Sequence, residues 1–332
     1  MTTYAINGFG RIGKLALRVL INREIQISWI NDITGDAGMH AHLLEFDSVH
    51  GRWKADIDVT DNTISVNGSD IKVYQTDKID DLPLEGIDVL IDCSGAFRTT
   101  ANLKPYFENG AKKVVVSAPV RDSEALNIVY GVNEYLYDPQ KYDIVTAASC
   151  TTNCIAPVVK VLHENLGIKH GSFTTIHDVT NTQTIVDRPS SDLRRARSAL
   201  NSLIPTSTGS AKAITLIYPE LKGKLDGHAV RVPILNASIT DCVFELEQAT
   251  DVNAINDLFK TYSEGDLKNI LGFESKPLVS ADYVSDPRSC IIDAQSTIVI
   301  NGTQAKIYAW YDNEFGYTHR LVDLIQMVGN KI

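Results

Sequence analysis

Three glycines near the N-terminus are spaced as in a dinucleotide-binding turn. Gly8, Gly10 and Gly13 form a GxGxxG motif between an apolar segment and a helical pattern. The glycines of such a motif allow a tight turn, close approach of the backbone to a pyrophosphate, and close helix packing. Asp32 follows Gly13 by 19 residues at the end of the next predicted strand, where a carboxylate can bind an adenosine ribose. Because that carboxylate would repel a 2′-phosphate, the pattern predicts NAD; the alternative is a glycine-rich turn without a ligand.

A cysteine and a histidine could supply covalent catalysis at a carbonyl carbon. Cys150 starts a stretch with apolar residues at helical spacing, so we expect it in the first turn of a helix, where the dipole favours a thiolate. His177 follows the strand-like stretch 173–176 and could act as a base for that thiol. Read singly, either residue could be structural, since free cysteines are among the most buried residue types. Only the two together indicate catalysis. Cys154, one turn after Cys150, is predicted to lie in the core.

Arginines and hydroxyl groups in the second half could bind an anion. Arg195 and Arg231 can each donate paired hydrogen bonds to a phosphate. Other positions that could complete such a site have a hydroxyl group or an accessible backbone: Ser149, Thr151, Thr180, Thr208 and Gly209. Taken singly, each of these residues is more typical of a helix cap, a turn or a surface ion pair.

The secondary structure that the sequence predicts around these residues changes in type near residue 150. Before it, apolar runs such as 89–91 and 114–116 are typical of buried parallel strands. After it, a helix is followed by segments such as 242–246, 291–300 and 305–311, which predict longer strands of an antiparallel sheet. We therefore predict an α/β chain with two domains. They are a Rossmann-type parallel-sheet NAD domain over 1–149, on which a C-terminal helix within 314–332 packs, and an α+β catalytic domain over 150–313.

One long connection interrupts the second domain. The stretch between residues 181 and 208 contains four arginines and is too polar for a core element. It is also longer than ordinary connections within compact domains. We interpret it as a functional or interface loop.

Composition excludes several other classes of protein. The 332 residues include 31 basic and 41 acidic side chains, a net charge of −10 that disfavours a nucleic-acid-binding role. The five cysteines lack CxxC spacing, which argues against a disulfide scaffold and a zinc site and favours the reducing cytoplasm. The first residues do not combine a basic segment with an apolar one, so we expect no export signal, and no apolar run is long enough to span a bilayer. We therefore expect no metal, no nucleic acid and no membrane as partners.

Three strings carry a resemblance to a known family. They are GFGRIG at 8–13, SCTTNC at 149–154 and WYDNE at 310–314. With these strings the chain resembles, essentially from end to end, phosphorylating glyceraldehyde-3-phosphate dehydrogenase. The resemblance implies that Cys150 is the nucleophile, that His177 is its base and acid, and that the substrate phosphate is bound by Thr180 and Arg231. An inorganic anion would be surrounded by Ser149, Thr151, Arg195, Thr208 and Gly209. NAD would be bound by Arg11, Ile12, Asp32, Ser117 and Asn313, the last on the nicotinamide amide.

The implied reaction has two stages. The Cys150 thiolate adds to the aldehyde of glyceraldehyde 3-phosphate, His177 takes the hydroxyl proton, and a hydride passes to NAD, which leaves a thioester. Attack by phosphate then gives 1,3-bisphosphoglycerate. The resemblance also implies a homotetramer in which the 181–208 stretch lines a neighbour's cofactor site.

Some residues depart from the common glycolytic pattern of that family. They are Ala147, the pair Asp178-Val179 after the histidine, and Phe315. Together with the strings at 41–47, 177–183, 200–205 and 216–223, they resemble the bacterial subfamily encoded in arsenic-resistance operons. That subfamily implies arsenate as the acceptor, giving 1-arseno-3-phosphoglycerate for export by a companion permease. Arsenate and phosphate are similar tetrahedral oxyanions, so the anion-binding residues themselves favour neither.

Other functions remain consistent with the residues. An ordinary glycolytic or gluconeogenic glyceraldehyde-3-phosphate dehydrogenase would share every catalytic group. Erythrose-4-phosphate dehydrogenase, a relative that hydrolyses its thioester, is a second enzyme alternative. A non-catalytic binding protein with RNA or protein partners is the alternative from another class. Arg188, beside Pro189, could also allow use of NADP despite Asp32.

Overall fold

The change of pattern near residue 150 coincides with a boundary between two structural units. The structure is a computed structural model that describes residues 2–332. The first unit contains the chain through Ser149 together with Thr318–Ile332, and the second contains Cys150–Tyr317.

The first unit is built on a nine-stranded sheet that is mostly parallel. Its order is β3-β4-β5-β2-β1-β6-β7-β9-β8, and only the β3-β4-β5 edge is antiparallel. The strands are β1 (Tyr4–Asn7), β2 (Ile27–Asn31), β3 (Ile57–Thr60), β4 (Thr63–Val66), β5 (Ser69–Tyr74), β6 (Val89–Asp92), β7 (Lys113–Val116), β8 (Leu126–Asn127) and β9 (Ile144–Thr146). The helices are α1 (Arg11–Asn22), α2 (Ala37–Glu45) and α3 (Thr100–Glu108).

The GxGxxG turn connects β1 to α1 next to the point where the strand order reverses. β1 has β2 on one side and β6 on the other, and the three strands run parallel. In open α/β sheets ligands bind beyond the carboxyl ends of the strands at such a switch point. Gly8 adopts φ +92°, and a Cβ atom there would lie 2.2 Å from the Ser94 backbone nitrogen. The turn therefore requires glycine for both its conformation and its close approach to the neighbouring chain.

The second unit contains an eight-stranded, mostly antiparallel sheet. Its order is β11-β12-β10-β13-β17-β15-β14, and β16 pairs with β17. The strands are β10 (Ile168–His177), β11 (Ile204–Ser207), β12 (Leu225–Arg231), β13 (Ser238–Leu246), β14 (Leu271–Glu274), β15 (Cys290–Asp293), β16 (Ile298–Ile300) and β17 (Gln304–Tyr311). The helices are α4 (Cys150–Leu166), α5 (Ser210–Ile217) and α6 (Val252–Glu264). Nine of the first ten residues of α4 are buried, because the helix packs on this sheet.

The predicted fold class is confirmed, and one strand prediction is wrong. On β13 the buried Cys242, Phe244 and Leu246 alternate with partly exposed neighbours, as the pattern indicated. The segment 291–300, however, is not one strand. A 3-10 turn over Ala294–Ser296 interrupts it, and the Asp293 carboxylate accepts a hydrogen bond from the backbone of Ser296 at 3.2 Å. The capping carboxylate offers the backbone an alternative to the sheet ladder.

The last helix, α7 (Phe315–Gly329), begins in the second unit and continues into the first from Thr318. Its buried residues Leu321, Leu324, Ile325 and Val328 belong to the core of the first unit. Arg23 at the end of α1 forms an ion pair with Asp323 at 2.7 Å. Within residues 2–332, no helix combines the length and the apolar character needed to cross a bilayer.

Two glycines of the same turn should respond differently to substitution. A Cβ atom on Gly13 would lie 2.2 Å from the Gly8 carbonyl oxygen, whereas one on Gly10 would meet nothing within 4 Å. We expect Gly13→Ala to destabilise the first unit by about 1–3 kcal/mol through overpacking, and Gly10→Ala to leave the urea unfolding midpoint close to that of the parent. The midpoints, followed by circular dichroism, check this. Equal midpoints for Gly13→Ala and the parent would contradict it.

Candidate active site

Four strands of the second unit bring polar side chains to one edge of its sheet. β10 and β12 run parallel, with His177 paired to Arg231 at their carboxyl ends. β13 runs antiparallel to β10, and β17 runs antiparallel to β13, with Ser238 opposite Tyr311. The ends of β12, β10 and β17 and the start of β13 therefore lie side by side.

Cys150 is the first residue of α4, which packs on the same sheet. Its Sγ lies 3.7 Å from His177 Nε2, within hydrogen-bonding distance for sulfur. The first turn of α4 contains no acidic side chain that would oppose a thiolate. Cys150 is partly exposed, whereas Cys154 is fully buried among core residues. The thiol and the base thus meet in the geometry that nucleophilic catalysis requires.

His177 is buried and has partners on both ring nitrogens. Its Nδ1 lies 2.7 Å from Asp178 Oδ1 and 2.9 Å from the backbone oxygen of Asp178. Burial by itself lowers the pKa of His177, but the hydrogen bonds to Asp178 and Cys150 outweigh it and raise the pKa from 6.5 to about 9. The imidazolium form is therefore favoured at neutral pH.

Arg231 approaches the same histidine from β12. Its Nη1 lies 2.6 Å from His177 Nδ1 and donates to the Asp178 backbone oxygen at 3.0 Å. Its Nε is buried and has no hydrogen-bond partner among the described residues. Burial lowers the pKa of Arg231, and the positive charge of Arg195 acts in the same direction. The two guanidinium groups are thus close enough to interact electrostatically, and they could attract the same anion or anions.

The other predicted anion-binding residues are positioned by local hydrogen bonds. Arg195 Nε donates to Thr206 Oγ1 at 2.9 Å, and Thr180 Oγ1 donates to Gln183 Oε1 at 3.0 Å. Thr208 Oγ1 donates to Ser210 Oγ at 3.1 Å, and Gly209 is the N-cap of α5. Ser149 is the half-buried last residue of the first unit before the boundary. Among the predicted anion ligands, Arg231 contacts the histidine directly, with Nη1 2.6 Å from His177 Nδ1.

Two side chains at this edge were missed by the sequence analysis as parts of the site. Tyr311 shares a hydrogen bond of 2.9 Å with Thr151 Oγ1, and its ring centroid lies 6.0 Å from that of His177. Asp178 was noted only as a departure from the family pattern. The available signal was its position directly after a strand-end histidine, where a charged side chain needs a partner if it is buried.

The predicted NAD-binding residues of the first unit lie around the glycine turn and the following strand ends. Asp32 Oδ2 accepts a hydrogen bond from the Phe9 backbone at 2.7 Å, and its Oδ1 accepts one from the Thr34 backbone at 3.0 Å. Arg11 pairs with Asp47 at 2.6 Å. Ser117 follows β7, and its backbone nitrogen donates to the Asp92 backbone oxygen at 2.8 Å. Ile12 is half-buried in the first turn of α1.

A buried polar network, which no local sequence pattern indicated, supports these strand ends. Tyr106 donates to Asp92 Oδ2 at 2.8 Å and is itself hydrogen-bonded to Asn7. Asn31 donates to Asn7 Oδ1 at 2.7 Å, so the ends of β1, β2 and β6 are tied together. Burial raises the pKa of Asp92 to about 6. A fully connected network of this kind fixes the edge at which the glycine turn begins.

The residues around the glycine turn fit NAD. Gly10, the N-cap of α1, has no side chain to cap the helix, and the open space at Gly10 leaves room for a pyrophosphate at that helix end. In the second unit, Asn313 has a buried Oδ1 without a hydrogen-bond partner among the described residues, as an acceptor for an amide group would. Within residues 2–332, no three histidine, cysteine or carboxylate side chains are grouped as a metal site requires.

Comparisons with known proteins agree with this geometry. Residues 149–313 match the family model for the glyceraldehyde 3-phosphate dehydrogenase C-terminal domain, and residues 2–100 match the NAD binding domain of that family. The chain is similar to glyceraldehyde-3-phosphate dehydrogenase 3 of Nostoc sp., with 59% identity over 327 residues and 97% of each chain covered. It is 48% identical to glyceraldehyde-3-phosphate dehydrogenase of Geobacillus stearothermophilus, with 98% of each chain covered. The prediction of NAD as the cofactor is confirmed.

The raised pKa of His177 predicts how stability depends on pH. The folded-state pKa of about 9 exceeds the ordinary value of 6.5, so the stabilisation is complete below pH 6.5 and is lost as pH rises through about 9. We expect the urea midpoint of the parent to fall across this range more steeply than that of His177→Asn. Midpoints at pH 6, 7.5 and 9 measure the difference. Parallel pH profiles for the two proteins would show that His177 has no such linkage.

Proposed function

The chain belongs to the glyceraldehyde-3-phosphate dehydrogenase family, and on that premise we propose that Cys150 binds the substrate covalently as a thioester. The activity of the family is the NAD-dependent oxidation of an aldehyde, so the chain is an oxidoreductase. The observation that carries the proposal is the 3.7 Å approach of Cys150 Sγ to His177 Nε2 at the start of α4.

The first stage of the reaction uses both members of this pair. The thiolate sulfur adds to the aldehyde carbon of glyceraldehyde 3-phosphate, and His177 protonates the oxygen that becomes negative. When bound, NAD supplies a hydride acceptor. As the hydride leaves the former aldehyde carbon, His177 takes the hydroxyl proton back, and a thioester on Cys150 results. His177 therefore acts once as an acid and once as a base.

The second stage transfers the acyl group to an inorganic oxyanion. The oxyanion attacks the thioester carbon, the carbon–sulfur bond breaks, and the Cys150 thiolate is restored. We assign the substrate's own phosphate to Arg231 and Thr180. The attacking anion is assigned to Arg195, with hydroxyl and backbone groups of Ser149, Thr151, Thr208 and Gly209. The neighbouring positive charges of Arg195 and Arg231 support a site that accepts two anionic groups.

Within this activity we propose arsenate as an acceptor in addition to phosphate. The residues that support it are the departures at Ala147, Asp178, Val179 and Phe315, together with the strings that resemble the arsenic-resistance subfamily. Arsenate would give 1-arseno-3-phosphoglycerate, and a companion permease would export it from the cytoplasm before it hydrolyses. An ordinary glycolytic or gluconeogenic dehydrogenase is the second candidate, because it uses the same residues with phosphate.

We also propose a homotetramer in which the 181–208 stretch contributes to the interface. Its large apolar side chains are 67–81% exposed in the single chain, which favours burial against another copy. They are Ile185, Val186, Leu193, Leu200 and Leu203. Sedimentation velocity should give a mass near four times that of one chain, and replacing Leu193 and Leu203 together by Ser should produce smaller species. A monomeric parent protein would contradict this assembly.

The acceptor can be tested by initial rates of NADH formation. Purified protein receives glyceraldehyde 3-phosphate and NAD with phosphate, arsenate or no added oxyanion at matched concentrations. We expect steady turnover only with an oxyanion, and we expect a higher rate with arsenate than with phosphate at low concentration. Initial rates are required because the arsenylated product hydrolyses, which removes the equilibrium limit that phosphate imposes. Cys150→Ser, which should bind NAD without turnover, is the matched control.

Each alternative predicts a different result in this assay. Equal rates with both oxyanions would favour the ordinary dehydrogenase. Steady turnover without an oxyanion would indicate hydrolysis of the thioester, as in erythrose-4-phosphate dehydrogenase. Turnover by Cys150→Ser would refute the nucleophile, and no turnover by the parent would favour a binding protein.

A further inference from the structure

A buried carboxylate lies directly behind the histidine that faces Cys150. Asp178 follows His177 at the end of β10 and is 0% exposed. Its Oδ1 lies 2.7 Å from His177 Nδ1, while the other ring nitrogen, Nε2, lies 3.7 Å from Cys150 Sγ. The thiol, the imidazole and the carboxylate are therefore connected in that order through the two nitrogens of one ring.

The position of Asp178 is costly unless its carboxylate interacts with the histidine. Removing a carboxylate from water requires compensating hydrogen bonds or an opposite charge. Ser238, also 0% exposed, donates to Asp178 Oδ1 at 2.8 Å and accepts from the Asp178 backbone nitrogen at 3.1 Å. Asp178 Oδ2 has no hydrogen-bond partner among the described residues. Ser238 thus anchors the carboxylate, and a charged imidazolium is the partner that would compensate it.

The contacts of Nδ1 bear on which histidine nitrogen holds the proton. A carboxylate only accepts, so the 2.7 Å contact to Asp178 requires a proton on Nδ1 and leaves Nε2 free to accept from the thiol. A guanidinium only donates, so the 2.6 Å contact to Arg231 would require the opposite tautomer, which cannot take the thiol proton. Asp178 and Arg231 therefore favour opposite tautomers. The backbone oxygen of Asp178, 2.9 Å from Nδ1, also only accepts, so it favours the same tautomer as the Asp178 carboxylate.

We propose that Asp178 is a positioning residue that holds His177 with its proton on Nδ1 and stabilises the imidazolium formed when Cys150 loses its proton. The thiol proton moves from Sγ to Nε2, a thiolate and an imidazolium result, and the Asp178 carboxylate stays unprotonated. An anion bound by Arg231 would weaken the competing contact to Nδ1. This inference rests on the proposed roles of Cys150 and His177.

The charged and titratable groups around His177 define the expected pH behaviour. They are Cys150 from α4, Asp178 after β10, Arg231 from β12 and Tyr311 from β17. Arg195 acts on this set through Arg231. Among these groups, Asp178 contributes a carboxylate 2.7 Å from the imidazole ring. Its removal should therefore disfavour the imidazolium, and with it the Cys150 thiolate, at neutral pH.

The experiment measures alkylation of Cys150 by iodoacetamide between pH 5 and pH 10, because the thiolate is the reactive form. Asp178→Asn keeps the shape and removes the charge, whereas Asp178→Ala leaves only the backbone oxygen as an acceptor. We expect both variants to react about tenfold more slowly at pH 7 and to need a higher pH than the parent for the same rate of alkylation. Cys150→Ser measures the background from the other cysteines.

Steady-state kinetics of the same variants provides a second readout. We expect kcat to fall about 100-fold with little change in KM, since a positioned acid or base contributes about 10²–10⁴ to the rate. Asp241→Asn is the matched control: Asp241 lies on β13 of the same sheet, pairs with Lys306, and also has one oxygen without a partner among the described residues. It should behave as the parent does in both assays.

The outcomes separate this inference from the proposed function. If both Asp178 variants stay within about threefold of the parent in kcat and keep its alkylation profile, the backbone oxygen suffices and the inference is wrong. If His177→Asn retains full turnover, the proposed function itself fails. NAD binding, followed by tryptophan fluorescence, reports folding. Should neither Asp178 variant fold, Ser238→Ala, which loosens the carboxylate without removing it, must shift the alkylation midpoint upward for the inference to stand.

Discussion

The register between β10 and β12 is the constraint on which the candidate active site depends. It places His177 beside Arg231 at the carboxyl ends of two parallel strands. In a strand, a shift by one residue moves every side chain to the other face. Such a shift would separate the imidazole from Arg231 on β12 and from the thiol at the start of α4. The contact between Cys150 Sγ and His177 therefore depends on the hydrogen bonds along the whole length of β10.

The electrostatics of the site follow from burial around that histidine. In a low-dielectric surrounding, a hydrogen bond to a charged group is strong and an unpaired polar atom is costly. His177 has a raised pKa because its hydrogen-bond partners outweigh its desolvation. Arg231 meets the same ring from the other strand and places a positive charge where the substrate phosphate is expected. The site therefore combines Asp178, which favours the imidazolium form of His177, with Arg231, whose positive charge favours a bound anion.

In the first unit, the glycine turn exposes backbone groups to an anionic cofactor. The glycine turn brings the chain close to Ser94 and places Gly10, which has no side chain, at the N-cap of α1. Hydrogen bonds among Asn7, Asn31, Tyr106 and Asp92 hold the strand ends behind it. Asp32 is fixed by backbone donors, so its carboxylate is already oriented at the strand end. Preorganisation of this kind reduces the entropy that a ligand must overcome on binding.

The sequence alone determined the family, the fold class, the cofactor, and the candidate nucleophile and base, because each of these is encoded in short motifs or in the local periodicity of apolar residues. The GxGxxG turn and the SCTTNC string are local signals of this type. Local periodicity also placed Cys150 at a helix start, but it failed at 291–300, where the Asp293 cap interrupts the strand. The tertiary structure alone decided that Tyr311 and Arg231 lie beside His177 and that Ser238 anchors the carboxylate of Asp178. These contacts depend on strand register and burial between segments far apart in the chain, and no local pattern of residues contains that information.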